Sequence, residues 1–199
     1  MNNCGSNNES LTIKKCDNLR TFTANDINCI STSIPIDGSI IPFSSGFEFI
    51  LIGDNFGNGT NNVGLIGFGS SVSLVPLIGN TINLIGLPNE AFTVSRDGII
   101  TSISASFTYL GGVLDLETAT VRAQIFRAPV GSNSFTATSA SVDLAPSITA
   151  LSGIGEISFG TANIPPVSVA VGDSLIMVFH VLEAGVAIAG YASAGINII

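Results

Sequence analysis

Residues 99–109 alternate. Ile99, Thr101, Ile103, Ala105, Phe107 and Tyr109 fall on one side of an extended backbone, and Ile100, Ser102, Ser104, Ser106 and Thr108 on the other. Successive side chains of a strand point to opposite faces, so this period of two predicts a β-strand with one face less buried than the other. Asp97-Gly98 before it and Gly111-Gly112 after it are turn signals. In the next run Val121, Ala123 and Ile125 alternate with Arg122 and Gln124. Strand character also marks 47–52, 63–68, 72–78, 92–95, 141–144, 154–159, 167–171, 175–182 and 186–199. No window carries the 3.6-residue stripe of an amphipathic helix. Many short strands at regular spacing predict an all-β sandwich or jelly roll.

The last two runs are the most apolar. His180, Glu183 and several glycines interrupt them, so no clean apolar span of about 18 residues exists and a membrane crossing is not expected. They read as two strands buried on both faces. Cover for a C-terminus this apolar is expected from other copies of the chain. Phe179, Gly190, Ala192, Ala194, Ile196 and Ile198 are the candidate interface residues: the large ones need burial, and the small ones let chains approach closely.

Composition strengthens that expectation. Hydrophobic residues make up 46% of the 199 and charged ones 10%, against about 25% charged in an ordinary soluble domain. Much of the surface must then be uncharged or buried in contacts, which favours an assembled protein. The net charge of −8 argues against nucleic acid, since phosphate binding needs clustered cations. Met1–Ser10 is polar, with neither a basic nor an apolar segment of a secretory signal. Synthesis in a cytoplasm is expected, with any export by another route.

Residues 1–36 form a different region. They hold Cys4, Cys16 and Cys29, half of the basic residues, and Phe22, Ile27, Ile30, Ile34 and Ile36 without helical spacing. Such a stretch predicts a connector arm, with strands at 21–23 and 31–34, leading into one domain over 37–199. The cysteines read as free thiols or as partners in intermolecular disulfides, which an odd number favours in an exported protein. Zinc binding or redox catalysis would need partners that are absent nearby, the one histidine being residue 180.

Catalytic chemistry is thin. Asp54–Gly59 resembles a calcium loop only loosely: Phe56 stands where an oxygen ligand belongs, and no glutamate closes the loop. Asp115 and Glu117 would share a strand face but need no catalytic role. His180 sits in an apolar strand and reads as a core or interface histidine. The expectation is a non-enzymatic protein with no cofactor and no metal.

Several segments together resemble a known family. Ile40–Gly46, Gly67–Ser71, Ala91–Ala105, Arg122–Pro129, Ser132–Thr136 and Gly190–Gly195 look, in order, like the C-terminal domain of the BclA/BclB-type exosporium glycoproteins of Bacillus-type spores, the BclB branch most. That resemblance implies a tumour-necrosis-factor/C1q-like jelly roll and a homotrimer whose apolar strands meet near a three-fold axis. Family members usually carry a collagen-like region before this domain, and this chain has none. The cysteine-bearing arm resembles instead the N-terminal connectors of spore appendage (endospore pilus) subunits. The joint expectation is a structural subunit of a spore-surface fibre or appendage, partnered by itself and by other exosporium proteins. The alternative is a trimeric tip or adhesin domain that binds a host or carbohydrate ligand.

Overall fold

The computed structural model describes residues 38–53, 60–114 and 118–199. The cysteines, the arm strands, the Asp54–Gly59 segment and the Asp115/Glu117 pair lie outside the described residues. Fourteen strands and no helix make up the described part. They are β1 (Ser39–Ser44), β2 (Phe49–Ile52), β3 (Thr60–Ile66), β4 (Ser71–Ile78), β5 (Thr81–Asn83), β6 (Phe92–Thr93), β7 (Gly98–Leu114), β8 (Thr118–Ala119), β9 (Val121–Ala128), β10 (Ser134–Asp143), β11 (Ile148–Thr149), β12 (Ile157–Val169), β13 (Ser174–Val181) and β14 (Val186–Ile198).

The strands form two layers. In one, β14 pairs with β1 and β2 on one side and with β7 on the other, and β7 pairs with β12. In the other, β3, β13, β9 and β10 follow one another. The first strands thus lie beside the last, and β2 pairs with β3 to join the two layers. The arrangement is that of a jelly roll.

One departure shapes everything else. β4 pairs with β3, β5 with β4, and β10 with β5, so β3, β4, β5, β10, β9 and β13 close into a ring. The second layer is therefore a small barrel. Its interior is a core of its own, containing Val63, Leu65, Val75, Leu77, Ile82, Phe126, Phe135, Ile176 and Val178. The larger core lies between barrel and sheet. There Phe49 packs edge-on against both Phe107 and Phe179, with ring centroids 5.9 and 6.0 Å apart. A bulge within β10 makes the change possible. Phe135 faces the barrel interior and Val142 the larger core. Between them Thr138 Oγ1 donates to the Ile125 carbonyl and its own carbonyl accepts from Gln124 Nε2.

Two expectations need correcting. β13 is buried on both faces, as its composition predicts, but by its own chain: Leu175, Met177 and Phe179 enter the larger core, Ile176 and Val178 the barrel. β14 is not buried on both faces. Its even-numbered residues pack inward, whereas Tyr191 and Ser193 are exposed. In β7 the alternation slips near the pairing shift at Asn197/Ile198, so Ile100 is buried and Ile99 is partly exposed. Residues 157–159 and 167–169 belong to one long strand, β12, with a pairing shift at its two prolines, and 154–156 and 170–171 lie outside it.

Candidate functional site

One broad surface that the fold leaves uncovered is the outer face of the sheet. Pairing register places its side chains in transverse rows. Phe159, Ser106, Ser193 and Ser44 form one row, Thr161, Ser104, Gly195 and Pro42 the next, and Asn163, Ser102, Asn197 and Ile40 a third. The hydroxyls bond to each other across strands. Ser106 Oγ and Ser193 Oγ lie 3.0 Å apart, as do Ser104 Oγ and Thr161 Oγ1. Asn197 Nδ2 donates to Thr101 Oγ1 at 3.2 Å. A hydroxyl pair that shares one hydrogen keeps a donor and several lone pairs for another partner. Two shallow hollows flank the Ser106–Ser193 pair, one reaching Phe159 and Thr161, the other Tyr191 and Thr108.

Beyond Tyr191 the same face turns apolar. Ile50, Ala189 and Gly111 form one row there, and Ile52, Ala187 and Val113 another. Tyr191, 44% exposed, stands where the two halves join, and Phe159, 65% exposed, marks the β12 rim. β1, β2, β7, β12 and β14 contain no charged residue at all. Among the described strands only β9, with Arg122 and Arg127, and β10, with Asp143, carry one.

Strand parity decides where the candidate interface residues lie. Phe179, Ala192, Ile196 and Ile198 are in the larger core, and Ala194 packs against it. A side chain on Gly190 would point the same way, its Cβ running into the Phe107 ring. Five of these six are buried and Ala194 is half-buried, so most of their surface is spent within their own domain. The positions that do face outward, Tyr191, Ser193, Gly195 and Asn197, are one residue away. The signal was present in the sequence: polar Ser193 and Asn197 interleave with Ala192, Ala194, Ile196 and Ile198.

His180 has a different setting. It pairs across strands with Arg122, which holds Asp143 through Nε to Oδ1 and through Nη2 to Oδ2 at 2.9 Å. Both ring nitrogens of His180 are buried and have no hydrogen-bond partner among the described residues. Burial, reinforced by the Arg122 charge and opposed by Asp143, pushes its pKa down to about 4. The hydrogen bond from Arg122 lowers the Asp143 pKa, and the same bond raises that of Arg122. Burial favours the neutral form of this imidazole. Among the described residues no group of three His, Cys, Asp or Glu side chains could hold a metal ion. No described helix is long and apolar enough to cross a membrane.

Comparison with known proteins adds the following. No protein-family model matches the chain, and no curated protein matches it. Among solved structures, Eiger TNF from S. frugiperda aligns with a TM-score of 0.34 and 12% identity, over 79% of this chain and 93% of that one.

Proposed function

We propose that this chain is a non-enzymatic, self-assembling structural subunit of a spore-surface fibre or appendage. Copies join as homotrimers through the outer face of the sheet, and the arms of residues 1–36 link one trimer to the next. The observation that carries the self-association is the uncharged sheet face. Two chains of net charge −8 repel unless the surfaces that meet are free of carboxylates. The face spans the 13 residues of β14 and the width of four strands, roughly 43 by 19 Å at ordinary strand spacings. That is about the ~800 Å² per partner of a stable interface. The spore-surface assignment rests on the segment resemblance, and the linking role of Cys4, Cys16 and Cys29 rests on their number and placement in the arm.

Electron microscopy of the purified full chain tests the reading. Polymers that become discrete trimers on deletion of residues 1–36 are expected. Identical fibres without the arm would remove the connector role. A second reading has an observation of its own: hydroxyl rows between the exposed rings of Tyr191 and Phe159 suit a neutral sugar, whose hydroxyls pair with serines and whose apolar face stacks on an aromatic ring. Discrete trimers from the full chain that are retained on a neutral glycan array would favour that tip-domain role.

A further inference from the structure

We infer that the outer wall of the barrel, formed by β4, β5 and the start of β10, is a second self-association surface that meets the same wall of another copy across a two-fold axis. The inference rests on the self-assembly reading and names a contact which that reading lacks. The wall lies in the layer opposite the sheet face, with both cores between them, so one copy can use both surfaces at once.

The wall follows from the closed barrel. Val75, Leu77, Ile82 and Phe135 point into the barrel interior. Their neighbours Leu74, Pro76, Ile78, Asn83, Ser134 and Thr136 therefore point out, and all are exposed. Ile78 and Ile85 are each 73% exposed. A groove of about 500 Å³ runs between Pro76, Ile78, Thr81, Asn83 and Ser134. Leu74, also outward, holds φ at 60°, a left-handed conformation unfavourable for leucine. Ser73, beside it, accepts the Ile50 N–H on its Oγ at 3.0 Å, tying the distorted segment to β2. The fold thus keeps a strained backbone that sets an apolar side chain toward water.

Charge identifies the occupant. From Thr60 to Asn89, and again from Ala128 to Val142, the chain has no charged residue. A basic partner, drawn to this acidic chain, would find no carboxylate here to pair with. A second copy gains most from such a surface, because here the two acidic molecules bring no like charges together. Ile78 protrudes beside a groove that can receive an apolar side chain, so each copy can fill the other's groove. That reciprocity makes the contact isologous. The wall measures roughly 26 by 14 Å at ordinary strand spacings, below the ~800 Å² of a stable interface. It therefore acts where copies are already joined and several such contacts form together.

The test uses the full chain with Ile78→Glu and with Ile78→Lys, each measured alone and as an equal mixture by light scattering and sedimentation. Each variant alone is expected to need at least tenfold more protein to form particles larger than a trimer. The mixture is expected to regain the wild-type threshold, a recovery that mere misfolding would not give. Wild-type thresholds for both single variants, or a mixture no better than either, would overturn the two-fold wall contact and leave the self-assembly reading standing. Wild-type protein that never exceeds one copy would overturn both.

Discussion

β13 and β14 are both strongly apolar, adjacent in sequence and opposite in circumstance. β13 sits between two cores, and its residues from Leu175 to Phe179 are fully covered by their own chain. β14 covers a core with one face and presents Tyr191, Ser193, Gly195 and Asn197 on the other. The difference comes from elsewhere in the chain: the β4–β5 hairpin closes the barrel behind β13, and no described strand lies outside β14. Hydropathy alone does not separate a strand that has found its cover from one that still offers a surface. The polar residues at alternate positions of β14 do.

The largest test of this contrast is a pair of truncations. Phe179→Ala removes a ring packed against Phe49 and should cost about 3–5 kcal/mol in denaturant unfolding. Tyr191→Ala should change the stability of the folded domain by no more than about 0.5 kcal/mol. Equal losses at the two sites would erase the distinction between the strands.

The next effect is a pH dependence at the C-terminal end of β13. His180 titrates near 4 when folded and near 6.5 as an unperturbed side chain. A depressed histidine binds its proton more readily in the unfolded chain, so stability is full above pH 6.5 and is lost as the pH falls toward 4. The gap corresponds to about 3 kcal/mol. Asp143, whose pKa is lowered, loses its contribution over the ordinary carboxylate range and below, in the same direction. Melting curves from pH 7 to pH 4 should fall steeply for the wild type and much less for His180→Leu. Parallel curves would place the histidine in water.

A smaller test concerns the slip in β7. Ile100→Val should cost about 1 kcal/mol and Ile99→Val nearly nothing. The reverse order would restore the uninterrupted alternation that the sequence suggests.

Much of the fold was legible because strands write their faces in period two. β2, β3, β4, β7, β9, β13 and β14 stand where alternation or apolar runs place them, and the all-β class follows. β5, β8 and β11 were not legible, since strands of two or three residues are too short for a period to show. Residues 134–140 were missed because the bulge in β10 turns Phe135 and Val142 toward different cores and breaks the alternation. The candidate site was legible in its strand and not in its side. Choosing Ala192, Ile196 and Ile198 assumed that the apolar residues face a partner, whereas a two-layer fold spends its most apolar face on its own core. The closed barrel could not be read at all, because the pairing of β5 with β10 joins segments some fifty residues apart.

Sedimentation velocity of the full chain beside its Ser193→Glu variant tests the central claim most directly. Ser193 lies at the middle of the sheet face, in the row from Phe159 to Ser44. The wild type should sediment as trimers or larger particles, and the variant as single copies with an unchanged circular dichroism spectrum. Wild-type protein that remains single at every concentration, or a variant that assembles as the wild type does, would contradict the account.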